Sequence, residues 1–153
     1  MLVDNEVKIK RVDSQEELEI CKSVRRNVFT DEQKIPVEIE VDRYDNLNCN
    51  VVHFLICLGN EGIGTSRYII LSDGKAQLQR VAIKTKFRNQ GYARKLINFI
   101  EEYAQKNGIN HLELHAQYHA KEFYEKLGYL PISEMYIEEK TGIEHVDMSK
   151  KLI

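Results

Sequence analysis

Three runs suited to strands follow one another between residues 51 and 83 with almost nothing between them. Residues 51–58, 63–71 and 76–83 are rich in branched and aromatic side chains, and their spacers are Gly59-Asn-Glu-Gly62 and Ser72-Asp-Gly-Lys75. Such spacers are far too short for a crossover, so each run must turn back on the one before it in an antiparallel meander. A helix then follows, with Ala93, Leu96, Ile97, Ile100, Tyr103 and Ala104 on one stripe and Asn107-Gly108 as a left-handed stop. Ile109, Leu112, Leu114 and Ala116 alternate as a further strand, so the strand-helix-strand unit over 76–116 is expected to be a parallel, right-handed crossover. An antiparallel meander that runs into a parallel step admits only a mixed α/β sheet.

The flanks fit that frame. Val7 and Ile9 alternate with lysines as a half-buried strand, and Ser14-Gln-Glu-Glu17 has capping-box spacing before a helix whose inward face reaches about Phe29. Pro36 interrupts regular structure, and residues 38–50 read as a loop with short local structure. Residues 119–127 suggest a short helix with Ala120, Phe123 and Leu127 inward, and 129–138 with 143–152 a closing hairpin across Lys140-Thr-Gly142. No repeat or linker appears, so one domain over 1–153 with a mixed, mostly antiparallel central sheet is the expectation.

Charge is distributed oddly in this chain. The whole carries a net charge of −2, yet Lys84, Lys86, Arg88, Arg94 and Lys95 place five cations in twelve residues with no acid among them, at the start of the central helix. A helix N-terminus offers unpaired amides and a partial positive charge, and Gly91 and Ala93 allow close backbone approach, so a phosphate-bearing ligand is indicated. The P-loop and dinucleotide fingerprints are both absent.

The segment Leu78-Gln-Arg-Val-Ala-Ile83, the basic loop, and Arg88-Asn-Gln-Gly-Tyr-Ala93 resemble the acetyl-CoA motif of the GNAT superfamily of N-acetyltransferases, Gln/Arg-x-x-Gly-x-Gly/Ala. Residues 120–129, Ala-Lys-Glu-Phe-Tyr-Glu-Lys-Leu-Gly-Tyr, resemble that family's second signature, and the likeness extends from about Val7 to Leu152. The resemblance implies a GNAT-like fold, acetyl-CoA as cosubstrate with no metal, and transfer of the acetyl group to a primary amine by direct attack on the thioester. It also implies a pantetheine arm along Val81, Ala82 and Ile83, a pyrophosphate on the amides of Arg88, Asn89, Gln90, Gly91, Tyr92, Ala93 and Arg94, and Gln117 near the cofactor amides in place of the asparagine of many members. Tyr124 matches the tyrosine that protonates the leaving sulfur.

One part departs from the pattern. An alkyl ammonium is deprotonated only about once per few thousand molecules at neutral pH, so a proton acceptor is needed. Where many members carry a glutamate on the motif strand this chain has Gln79; His115, which shares a face with His111 and Glu113, and His145 are the alternatives, and either is equally compatible with a structural role. Asp31, Glu32, Glu38, Glu40, Asp42 and Asp45 form an acidic stretch that would draw a cationic acceptor such as a polyamine, an amino sugar or a lysine side chain, or would simply solvate the surface. Residues 28–36 resemble a small bacterial subgroup whose acceptors do not name a substrate.

Two other functions compete. A non-catalytic acyl-CoA sensor is favoured by Gln79 and opposed by Tyr124, and a nucleic-acid module would use residues 84–95 but lacks stacking aromatics and overall positive charge. With 42% hydrophobic and 30% charged residues, three cysteines without C-x-x-C spacing, and an N-terminus that meets charge at once, a cytoplasmic protein with no membrane or nucleic-acid partner is expected. Pairing of two protomers through the final hairpin is compatible with the sequence.

Overall fold

A computed structural model describes residues 6–48 and 50–152; Met1 to Asn5 and Cys49, which entered the readings of the N-terminus and the cysteines, lie outside the described residues. The elements are β1 (Val7–Arg11), α1 (Gln15–Arg25), a π-helical segment (Arg26–Glu32), α2 (Val37–Glu40), β2 (Val51–Leu58), β3 (Glu61–Ser72) and β4 (Lys75–Ile83), followed by α3 (Tyr92–Lys106), β5 (His111–Gln117), α4 (Lys121–Lys126), β6 (Leu130–Pro131), β7 (Tyr136–Ile137) and β8 (Glu144–Lys151). Hydrogen-bonded neighbours run β1-β2-β3-β4-β5-β8-β6, with β7 also on β8. β1 and β2, β5 and β8, β6 and β8 and β7 and β8 pair antiparallel, while β4 and β5 pair parallel, so the mixed sheet with a parallel step is as expected. Two compact units divide the chain, Met1–Tyr68 with Arg80–Ile100 and Ile69–Gln79 with Glu101–Ile153; β3, β4 and α3 contribute residues to both.

In the first unit Ser14 caps α1 by accepting from the amide of Glu17 at 3.2 Å, as the capping-box spacing predicts, while Glu17 Oε1 takes the amide of Asp13. Leu18 and Cys21 pack with Val12 and Leu55. The inward stripe ends at Phe29, as expected, although the helical turns run on to Glu32. Beyond Arg25 the helix widens into the π-helical turns, closed by the amide of Gln33 on the carbonyl of Val28, and the wider turn lets the adjacent residues Val28 and Phe29 both face inward against Val24 and Ala82. α2 supplies the short local structure of the following loop.

The second unit buries Ala76, Leu78, Leu112, Leu114, Ala116, Val146 and Met148 on one face of the sheet. The opposite face carries the alternating polar residues, since His115 pairs across from Asp147 and Gln117 from His145. The closing hairpin is only partly regular. Its first arm survives as β6 and β7, and between their pairings with β8 residues 132–135 face only residues 146–147, an excess that forces the chain off the ladder. In α4 it is Tyr124, at 7% exposure, that faces inward, with Phe123 half-buried beside it.

Candidate functional site

The motif strand β4 changes character half-way along. Its buried residues alternate through Ala76 and Leu78, then Arg80 takes a left-handed backbone with φ of 57° inside the strand. A non-glycine residue in that region costs on the order of 1–3 kcal/mol and persists only where its surroundings hold it. Arg80 is held: its guanidinium donates to the Glu40 carboxylate at 2.9 Å, to the Glu40 carbonyl at 3.1 Å and to Asp42 at 3.3 Å. Arginine on the inward parity of an apolar strand, between Leu78 and Ala82, is the sequence signal that announces this demand, and it went unread.

Glu40 and the acids after it belong to one charge network. Arg25 donates to Glu40 at 2.8 Å and to Asp45 at 3.1 Å, and Arg67 to Asp42 at 2.7 and 2.9 Å and to Asp45 at 3.1 Å. Arg25 and Arg67 are each 1% exposed. Burial alone would raise the carboxyls of Asp42 and Asp45, but their arginine partners outweigh it and hold both below the usual range. His53, whose pKa burial lowers, sits 3.0 Å from the carbonyls of Tyr44 and Asn46 and ties the loop down. The acidic stretch is thus largely neutralised from within, because Glu32 too is taken, by Arg88. Asp31 and Glu38 are what remains of the wall expected to draw a cation.

After Ile83 the chain makes a single 3-10 turn at Thr85–Phe87 and enters α3 through Asn89 and Gly91, with φ of 61° and 85°. The amide of Lys95 bonds the carbonyl of Gly91 at 3.1 Å, the first bond of the helix. The amides of Tyr92, Ala93 and Arg94 therefore lead the helix without an acceptor among the described residues. A Cβ built on Gly91 would meet nothing within 4 Å, so the space over these amides is open. This is the geometry of an anion cradle, and the acid-free first turn suits a diphosphate.

Not every expected cation is available there. Arg88 forms a bidentate pair with Glu32 at 2.6 and 2.7 Å and donates from Nε to the carbonyl of Ile83 at 2.8 Å, while Thr85 adds a 3.0 Å bond to the same carboxylate. The Arg88 guanidinium holds Glu32 below the usual carboxylate range. Lys84 lies 3.6 Å from Glu61. Lys86, Arg94 and Lys95 make no ion pair among the described residues, although Lys86 lies over Phe87 and Lys95 over Tyr92. Gln90 bonds the carbonyl of Lys86 at 3.2 Å, and Ala82 and Ile83 are buried with Val81 half-exposed.

The second unit holds the other candidates. Tyr124 has its ring against Phe123 and Tyr129, and burial pushes its phenol well above the usual value. Its hydroxyl makes no hydrogen bond among the described residues, whereas Tyr129 donates to Glu101 at 2.8 Å and Tyr136 to Asp147 at 2.6 Å. A buried tyrosine ordinarily finds a partner for its hydroxyl, and this one is left open to a ligand or to water. Gln117 ends β5 with its carbonyl oxygen 2.8 Å from His119 Nε2. Of the two histidines weighed as base, His145 is engaged at Nδ1 by the carbonyl of Ile143 at 2.9 Å and stacks on Tyr136. His115 stands on the polar face, 3.2 Å from Gln77 and 3.6 Å from Asp147. Asp147, Tyr136 and Gln77 were not singled out by sequence; the alternation His145-Val-Asp147-Met148 is the signal that places that aspartate on the histidine face.

Comparison with known proteins agrees with this geometry. Residues 53–152 match the family model described as an acetyltransferase (GNAT) domain. A Bacillus subtilis protein assigned by name to the acetyltransferases is 33% identical over 143 residues, covering 94% of this chain and 95% of that one. A crystal structure from Lactobacillus plantarum, assigned as an N-acetyltransferase, superposes with a TM-score of 0.90 at 29% identity, over 97% of this chain and 100% of that one. An aminoglycoside 6'-N-acetyltransferase crystallised with coenzyme A shares the fold with a TM-score of 0.77 at 15% identity, over 95% of this chain and 97% of that one.

Proposed function

Since the chain belongs to the GNAT acetyltransferase family, an enzyme family that transfers an acyl group from acyl-CoA, we propose that it moves the acetyl group of acetyl-CoA to a primary amine, with Tyr124 as the proton donor. The observation that carries this reading is the start of α3, where the amides of Tyr92, Ala93 and Arg94 have no acceptor among the described residues and Gly91 leaves the space above them open. Those amides donate to the diphosphate, the loop from Arg88 through Gln90 shapes its approach, and Lys86, Arg94 and Lys95 balance the remaining phosphate charge. Arg88 acts here chiefly through its backbone and its grip on Glu32, not as a phosphate ligand. Val81, Ala82 and Ile83 offer the pantetheine arm a strand edge; the carbonyl of Ile83 already accepts from Arg88 and retains one lone pair for it. Gln117 is the remaining cofactor residue, through its side-chain amide.

Acetyl-CoA supplies an activated acyl thioester, so the protein must hold the amine, take its proton and deliver one to the sulfur. Tyr124 suits delivery because burial keeps its phenol protonated through the neutral range and its hydroxyl is unspent. We read residues 1–153 as a single catalytic domain. An acceptor bearing a primary amine, small-molecule or peptidyl, follows from the family chemistry. A strongly cationic acceptor gains little support from the acidic stretch, four of whose six carboxylates are paired with arginines. Release of free thiol from acetyl-CoA across a panel of polyamines, amino sugars and lysine peptides tests the reading: turnover on some primary amine is expected, and cofactor binding with thiol release on none of them would reject it.

A further inference from the structure

The proton acceptor that Gln79 cannot supply has a replacement on the polar face of the second unit. The parallel ladder of β4 and β5 runs from Lys75↔His111 to Leu78↔Leu114 and stops, although β5 continues to Gln117. Gln79 and His115 are thus the first residues on each strand beyond the last pair, at the point where the strands part. His115 alternates with the buried Leu114 and Ala116, so its ring stands on the polar face with about half of its side chain, 49%, exposed.

Hydrogen bonding orients that ring. Gln79 Nε2 donates to Gln77 Oε1, so it is the amide nitrogen of Gln77 that meets His115 Nε2 at 3.2 Å. An amide N–H needs a lone pair opposite, so Gln77 donates to Nε2 only in the tautomer that carries its proton on Nδ1. Asp147 Oδ1 lies 3.6 Å from the same nitrogen, directly across the β5–β8 ladder. That carboxylate is itself fixed, because Tyr136 donates to Oδ1 at 2.6 Å and Ser133 Oγ accepts from the Asp147 amide at 2.9 Å. The remaining titratable groups on this face are the Lys75–Glu113 pair at 3.2 Å, His111, Lys151, Tyr136 and His145. Tyr136 is pushed up by burial and by Asp147 and keeps its proton, and His145 is committed to the carbonyl of Ile143.

We propose that His115 Nε2 is the base that takes the proton of the acceptor ammonium, with Asp147 as the positioning residue that balances the imidazolium. The proposal rests on the acetyl-CoA reading above, which brings the thioester to the opening between β4 and β5. An ammonium N–H displaces the weaker amide donor of Gln77 from Nε2, since a charged donor makes the stronger bond. One ammonium proton passes to Nε2, the N–C bond to the acetyl group forms as the C–S bond breaks, and the sulfur takes the proton of Tyr124. The second nitrogen proton restores Tyr124, and His115 returns its proton to water. Neither glutamine gains or loses a proton.

The test uses the full chain with acetyl-CoA and the most active amine of a panel containing spermidine, kanamycin and a lysine peptide. His115→Ala and His115→Gln are expected to lower kcat about 10²-fold or more with the calorimetric affinity for CoA retained, to lose the rising limb of rate against pH, and to be rescued in part by added imidazole. Asp147→Asn, which keeps an acceptor for Tyr136, is expected to move that limb to lower pH with KM little changed. Undiminished turnover in both His115 variants, or an unmoved limb in Asp147→Asn, overturns the proposal; cofactor binding without turnover on any amine overturns the reading on which it rests. Loss of CoA binding in the unaltered protein overturns that reading as well.

Discussion

At the scale of single residues, the account turns on two positions whose roles follow from what they lack. Tyr124 lacks a partner for its hydroxyl among the described residues, so Tyr124→Phe removes the proposed proton donor and no bond among them. Its expected effect is a kcat lower by about 10²-fold with CoA affinity changed less than about threefold, measured by thiol release and calorimetry; an undiminished rate rejects the role. Gly91 lacks a side chain where φ is 85° and the space above is empty. In Gly91→Val the cost is conformational, about 1–2 kcal/mol for a branched residue forced left-handed, and it falls on the cradle. CoA affinity should drop about tenfold or more while the unfolding midpoint moves little. Both residues were legible because each sits in a motif of the chain. Arg88 shows the limit of such reading: within its own twelve residues it looks like a free phosphate ligand, but Glu32 lies 56 positions earlier and claims it.

At the scale of elements, the regular strands and the long helix could be read from period alone, because one face of each packs and the other is solvated. What could not be read are the elements whose shape is set by partners distant in sequence. The π-helical segment widens so that Val28 and Phe29 both reach Ala82, and the left-handed Arg80 is held by Glu40 from α2. The break between β6 and β7 has a local cause, Pro131 and an excess of residues over β8, yet alternation alone could not count that excess. The network under α1 and α2 yields a prediction of its own. Arg25→Met leaves Glu40 and Asp45, 4% and 3% exposed, each short of one partner. Removing one member of a buried ion pair costs roughly 3–5 kcal/mol, and the remaining arginines place this variant near 3 kcal/mol. Urea unfolding measures it, and a loss below about 1 kcal/mol would show that the network is solvated and adds little.

For the molecule as a whole, those carboxylates set an acid limit. Asp42 and Asp45 are held below their unfolded value of about 3.9, so their contribution is complete above that pH and is lost as pH falls through the lower folded values. The urea midpoint should stay level from pH 7 to about 5 and fall below about 4, with a smaller fall in Asp45→Asn; a midpoint level to pH 3 contradicts the burial assigned to the network. No helix among the described residues is long and apolar enough to cross a membrane. Fold class, first signature and His115 as a candidate were open to the sequence because they depend on local pattern, whereas the contacts of His115 with Gln77 and Asp147 depended on three strands and their register. Binding of the diphosphate by the amides at the start of α3 is tested most directly by calorimetric titration of the protein with coenzyme A and, separately, with pantetheine, which lacks that diphosphate. Heat with coenzyme A and binding at least about 100-fold weaker with pantetheine are expected, from charge-assisted bonds of about 1.5–3 kcal/mol each; equal affinity for the two, or no heat with coenzyme A, overturns that assignment.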